Sequence, residues 1–565
     1  MRWMICALVL ASCGSNGGHA EEPSSDLPAS GTVTITVIGT NDLHGHVRAL
    51  PVFAGYLQVL REMRSEDGAL VLLDGGDMFQ GTLESNLLEG APIVEAYAAL
   101  GYDAVTIGNH EFDYGPVGER ATPSEPGDDR RGALLARAAQ ARYPFLAANL
   151  RMRDGSAVAW DHVQTSTLIE RGGLTLGVIG VTTEDTLSTT NIANVDDLAM
   201  IPVVDALTRE AQSLRERGAQ LVLVAAHAGG ICTEHDDPHD LGSCEPDQEI
   251  FEVARSLESG TVDLIVAGHT HQAVSHFVHG IPVIESYSYG RAFGRVDLII
   301  DRATGQVVDT RLHPPRALCE SGSADDGDCV PGSYEGHVIE PDEAMQATIA
   351  PSIANAADMR ARPLNVTVVG GPFTQVRGAE CPLGNLFTDL MREEHGGDVA
   401  LTNGGGLRAD LPEGPLSYGA LYEASPFDNL YADVELSRAE LEAIVARNLQ
   451  RDGSFLSLSG VVATAACEDG ALVAHVTRAD GRAIADDEVL TLVTTDFLAT
   501  GSSAFAAVRE RDGVSLESGA MVRDSMARAL EARGGELSAA AFFDPDHPRV
   551  RYEGTRPITC SGGGD

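Results

Sequence analysis

Short runs of Val, Ile and Leu punctuate the first half of the chain, at residues 33–38, 70–73, 104–107, 221–226 and 264–267. Without polar alternation and too brief for helices, they predict strands buried on both faces. Between them lie segments with apolar residues at helical spacing, such as 53–63 and 202–217. This alternation predicts βαβ units from residue 33 to about 301, with the runs at 174–181, 281–284 and 296–300 as scaffold strands. Around 319–334 the composition shifts to Gly, Ser, Asp and Pro, and 341–362 then reads as one helix opened by Pro-Asp-Glu. A second α/β pattern fills 363 to about 552, with helices near 385–394 and 439–448 and strands near 399–402 and 489–494.

A chain of 565 residues exceeds what one core supports, so two domains are expected. The expected bounds are an export signal at 1–12, a flexible tether at 13–31, a first domain at 32–318, a linker and connecting helix at 319–362, a second domain at 363–556 and a loose tail at 557–565. The fold class is mixed α/β. Arg2 precedes a short apolar core at 5–10, and Leu10-Ala11-Ser12-Cys13 resembles a bacterial lipoprotein processing box. That resemblance implies lipidation at Cys13 and anchoring to the bacterial outer membrane or cell surface, with periplasmic or secreted protein as the alternative.

The 39 basic and 83 acidic residues leave a net charge of −44, and no lysine occurs. Such a field opposes binding of nucleic-acid polymers, and the absence of lysine excludes a P-loop. A small anion can still be held by local arginines and metals. Outside the cytoplasm cysteines tend to pair, so disulfides are expected across Cys232 and Cys244 and across Cys319 and Cys329. A zinc site using His235 and His239 is the less favoured reading of the first loop. Of Cys381, Cys467 and Cys560, one must remain over, and which one stays open.

The apolar runs end in metal-grade side chains: Asp42 and His44, Asp77, Asn109, His227, and His269 with His271. Each alone is an ordinary turn or capping residue. Five strands that stop in Asp, Asn or His together describe a site at the carboxyl ends of an α/β sheet. Mixed oxygen and nitrogen donors suit two divalent first-row cations, such as zinc, manganese, cobalt or iron, better than calcium or magnesium.

Asp-x-His, Gly-Gly-Asp, Gly-Asn-His-Glu and Gly-His-Thr-His, in that order, resemble the calcineurin-like metallophosphoesterases, and residues 108–115 resemble their 5′-nucleotidase branch. The resemblance implies a double-sheet sandwich flanked by helices, followed by an α/β substrate domain. It implies that Asp42, His44, Asp77 and His271 hold one metal, and Asp77, Asn109, His227 and His269 the other. It makes His110 the catalytic histidine, which acts on the phosphoryl group and the leaving oxygen. Asp113, three residues on, is placed to orient and charge that imidazole, whereas Glu111 reads as scaffold. In the second half, motifs around Arg377, Asn403 and Arg408 resemble substrate contacts, and Phe427 and Phe497 would sandwich a base. The family's ribose-binding Asp is replaced by Ser503, which puts the nucleoside preference in question.

The function implied is metal-dependent hydrolysis of nucleoside 5′-monophosphates or related nucleotides by in-line attack of an activated water. Alternatives keep the metals and change the substrate to cyclic nucleotides, nucleotide sugars or a non-nucleotide ester, including a thiosulfohydrolase-like one. A non-catalytic surface lipoprotein would show broken ligand positions, and none of the seven is broken.

Overall fold

The computed structural model describes residues 31–118, 121–123, 127–511, 513–516 and 521–560. The expected export signal, Cys13 and nearly all of the tether lie outside them. Strand Thr32–Thr40 turns Val33, Ile35 and Val37 to one face and Ile38 to the other, and all four are buried. It pairs in parallel with Gly68–Asp74 and antiparallel with Ala292–Asp301, inside a seven-stranded sheet. A six-stranded sheet is built around Leu221–His227, which runs parallel to Leu174–Thr182 and Leu264–Val266.

Ile35, Val37 and Val71 of the first sheet meet Leu176, Leu223 and Val266 of the second in one shared core. Helix Leu50–Arg64 covers one outer face through Phe53, Tyr56, Leu57 and Leu60. Helix Val203–Glu216 covers the other through Val203, Ala206, Leu207 and Leu214. The sandwich flanked by helices is therefore the arrangement the resemblance implied. Burying both faces of each sheet also explains why the central strands carry few polar residues.

The segment expected as linker is mostly part of the first domain. Ile339 is buried in its core, and the Asp342 N–H donates to the Pro51 carbonyl at 2.8 Å. Helix Glu343–Ala361 starts where Asp342 accepts from the Met345 N–H at 2.6 Å. It straddles the domains: Met345 and Ile349 pack in the first core, Ala356 in the second. Near its end Arg360 donates to Glu84 of the first domain at 2.6 Å and also pairs with Glu423 of the second, while Arg48 holds the other Glu84 oxygen at 3.0 Å.

In the second domain, Val399–Asn403 and Val489–Thr495 run parallel inside a five-stranded sheet, and helix Pro382–His395 packs beside them. Cys232 pairs with Cys244 and Cys319 with Cys329. The sulfurs of the first loop are joined, so they offer no thiolates to zinc, and the His239 ring stacks on Phe277 at 4.7 Å. Cys467 pairs with Cys560 across 93 residues, which leaves Cys381 as the free, buried thiol among the described residues. This third bridge corrects the expectation of a loose tail from residue 557. Ile558 is buried, and its N–H donates to the Leu449 carbonyl at 2.9 Å. Among the described residues no helix is long and apolar enough to cross a membrane.

Candidate functional site

The carboxyl ends of both parallel sheet regions in the first domain converge on one edge of the sandwich. Asp42, His44, Asp77, His269 and His271 all adopt left-handed backbone angles, with φ between 48° and 87°. Non-glycine residues hold that conformation only where the surroundings enforce it, and such strain gathers at functional sites. Gly108 has to be glycine for a local reason: a Cβ there would lie 2.2 Å from Asp77 Oδ1.

Two groups of donors result. Asp42, His44 and His271 present atoms within 4.8 Å of one another, and so do Asp77, His227 and His269. Asn109 joins the second group, its Oδ1 lying 2.9 Å from His227 Nε2. Asp77 Oδ2 stands between the groups, 3.1 Å from His227 Nε2 and 3.8 Å from His44 Nε2. The structure thus brings all seven sequence-predicted ligand positions together.

Ring orientations are set from outside the groups. His44 Nδ1 lies 2.7 Å from the Gln80 carbonyl and His227 Nδ1 lies 2.8 Å from the Gly75 carbonyl, so each Nδ1 carries the proton. Each Nε2 is then the ring nitrogen left facing inward, the one a cation would bind in place of a proton, as metal-ligating histidines require. Asp42 Oδ1 is buried without a protein hydrogen-bond partner, which a cation would satisfy. The buried carboxylates also create a strong demand for positive charge. Burial opposes protonation of His227, yet Asp77 lifts its imidazole to about 10. Burial, joined by the charge of His227, pushes His269 down to about 3. This donor set fits divalent cations.

His110 sits beside both groups without belonging to either. Its Nδ1–H donates to Asp113 Oδ2 at 2.6 Å, and Asp113 Oδ1 accepts from the Thr190 hydroxyl at 2.8 Å. Burial opposes charging of His110, but Asp113 and Asp77 outweigh it and hold the imidazole above its ordinary value. Glu111, one residue on, faces inward and accepts main-chain N–H groups from residues 77, 78, 79 and 108.

Opposite lies the wall of the second domain, across a cleft of about 530 Å³. Asn403 ends strand Val399–Asn403, and Phe497 lies in the first turn of the helix that follows strand Val489–Thr495. Both therefore stand at the carboxyl ends of neighbouring parallel strands. Arg377, Arg408, Phe427 and Ser503 line the same cleft. Arg408 reaches across to donate to His110 Nε2 at 2.8 Å, with its guanidinium 5.4 Å above the Phe427 ring. Burial, with Arg408 nearby, lowers the pKa of Arg377. Gln80 ties the walls together by donating to the Pro426 carbonyl at 3.0 Å.

Several supporting residues escaped the sequence reading. Asn41 donates to Asp42 Oδ2 at 2.7 Å and accepts from the Ser286 N–H at 2.9 Å. Its place beside Asp42 was a usable signal. Glu285 accepts from the Thr270 hydroxyl at 2.7 Å and from the Gly230 N–H at 2.8 Å, which props the loop carrying His269 and His271. It is the next-to-last residue of strand Ile281–Ser286, which reads as plain scaffold only if the run is stopped at Ile284.

Residues 35–273 match the family described as calcineurin-like phosphoesterase, and residues 362–510 match the one described as 5′-nucleotidase, C-terminal domain. Endonuclease YhcR of Bacillus subtilis is 28% identical over 497 residues, which span 84% of this chain but 37% of that protein. The 5′-nucleotidase of Vibrio parahaemolyticus is 26% identical over 494 residues, spanning 80% and 82% of the two chains. The crystal structure of a 5′-nucleotidase precursor from Thermus thermophilus is similar with a TM-score of 0.69 at 22% identity, covering 92% of this chain and 99% of that one. At that identity the likeness is one of fold.

Proposed function

The chain belongs to the calcineurin-like phosphoesterases that carry a 5′-nucleotidase C-terminal domain, and from that premise we propose that it hydrolyses nucleoside 5′-monophosphates or related nucleotides with two divalent cations. The observation that carries the reading is the single cleft: two donor groups sharing Asp77 on one wall, and arginines with aromatic rings on the other.

In this reading Asp42, His44, Asp77 and His271 hold one cation, and Asp77, Asn109, His227 and His269 hold the second. Zinc, manganese, cobalt and iron all suit these donors. Bound there, the cations supply an acidified water and a clamp for phosphoryl oxygens. His110, oriented by Asp113, stabilises charge on the phosphoryl group and the departing oxygen. Arg377 and Arg408 grip anionic oxygens with planar forks. Phe427 and Phe497 offer faces to a base, worth about 1–3 kcal/mol per stacked ring, and Asn403 adds a polar contact beside them.

Three disulfides and the Leu-Ala-Ser-Cys sequence favour an exported protein, anchored through a lipid on Cys13. The catalytic reading is tested by stripping the purified protein with a chelator and reloading it. Phosphate release from AMP should vanish and return with manganese, cobalt or zinc. Turnover indifferent to metal would end the proposal. Comparison of AMP with UDP-glucose, 2′,3′-cyclic AMP and a non-nucleotide ester ranks the substrate classes.

A further inference from the structure

Carboxylates outnumber arginines by 83 to 39, yet one turn at the cleft rim and the helix end before it take hydrogen bonds from three arginines. Ser503 opens the short turn Ser503–Phe505 directly after helix Asp496–Gly501, the helix that carries Phe497. Arg451 donates to the Ser503 hydroxyl oxygen at 2.9 Å, and Arg447 donates to the Ser503 carbonyl at 3.1 Å. Arg509 donates to the carbonyls of Ala499 and Ser502 at 2.9 and 2.8 Å. Among the described residues no carboxylate pairs with any of the three.

The polarity of this turn follows from those bonds. With an oxygen lone pair of Ser503 engaged by Arg451, its O–H is left to donate. A guanidinium has five N–H donors, and Ser503 is the only side-chain partner that Arg451 has among the described residues. The turn can thus offer a ligand the Ser503 hydroxyl and the free N–H groups of the guanidinium groups, with no carboxylate paired beside them. A sugar diol, which needs acceptors for its two hydroxyl protons, is a poor match, whereas an anionic, acceptor-only group is a good one.

Ser503 lines the same cleft as His110, Arg408 and Phe427. This step rests on the nucleotide reading above: with the 5′-phosphate at the cations and the base against Phe497, the sugar's 2′,3′ edge is the part that can face the turn. We propose that the Ser503 turn, with Arg447 and Arg451, is a second anion subsite that selects nucleotides bearing an additional phosphate on the ribose, such as nucleoside 3′,5′-bisphosphates. Water adds to the 5′-phosphorus, the P–O5′ bond breaks, and O5′ takes up a proton. The products are inorganic phosphate and a nucleoside 3′-phosphate.

The test compares kcat/KM for adenosine 3′,5′-bisphosphate and for AMP on the metal-loaded full chain. The bisphosphate should be preferred by about tenfold, chiefly through KM, as one partly exposed charge-assisted contact allows. Arg451→Gln should bring the ratio near unity, and Ser503→Asp should turn it in favour of AMP. Equal kcat/KM for the two substrates, or an Arg451→Gln protein in which both fall in parallel, would overturn the subsite and leave the arginines as braces for the turn. If the metal-loaded chain cleaves neither nucleotide, the parent reading fails. Calorimetric binding of adenosine 3′,5′-bisphosphate then decides the subsite separately: it must weaken in Arg451→Gln, and unchanged or absent binding sinks the proposal.

Discussion

Replacing Glu111 by glutamine should unfasten the floor of the metal site. The Glu111 side chain is buried, with its residue 1% exposed, and its two oxygens collect four main-chain N–H groups. Oε2 accepts from Asp77 at 2.9 Å and Gly108 at 2.7 Å, and Oε1 from Met78 at 2.8 Å and Phe79 at 3.3 Å. Glutamine keeps the shape but turns one oxygen into an NH2 group, so one pair of N–H donors faces hydrogens in place of an acceptor. A buried donor left unsatisfied costs about 1–3 kcal/mol. Two of them should therefore cost about 2–6 kcal/mol. In a domain of this size about 1 kcal/mol moves the melting midpoint by about 2–4 °C, so a fall of roughly 4–24 °C is expected. The Asp77 main chain is among the groups affected, so metal affinity should weaken as well. Calorimetric melting of the metal-free and metal-loaded variant beside the parent measures both effects. A Glu111→Gln protein melting within about 2 °C of the parent, with unchanged metal affinity, would refute the bracing role.

Asp113→Asn keeps a hydrogen-bond acceptor for His110 but removes the largest of the influences that raise its pKa. The imidazole should then lose its proton at lower pH, so the alkaline limb of kcat/KM moves down, with a loss of about 10 to 10² in rate at neutral pH; an unshifted profile would remove Asp113 from its positioning role. Cys13→Ser should move the protein from the membrane fraction to the soluble one and abolish fatty-acid labelling, and labelling that persists would exclude a lipid anchor at that residue.

How much was legible before folding varies by the range of the interaction involved. The buried strands could be read because burial on both faces selects unbroken Val, Ile and Leu runs, and Thr32–Thr40, Gly68–Asp74 and Leu221–His227 formed where such runs stood. The candidate ligands could be read because metal donors are chemically few and these sit immediately after strands. The tail was misread because Ser and Gly around Cys560 suggest looseness, whereas its anchor is a cysteine 93 residues away. The linker was misread because its polar composition hides a buried contact, Ile339.

By itself the sequence determined the strand pattern, the chemical identity of the seven candidate donors and the His110–Asp113 spacing, all of them local properties. Only the tertiary structure decided that Glu285 and Asn41 prop the loops beside the donors, and that Arg408 crosses from the second domain to His110. Those relations depend on how two sheets pack and how two domains dock. Packing and docking sum many weak contacts between residues far apart in the chain, which no local pattern of residues records.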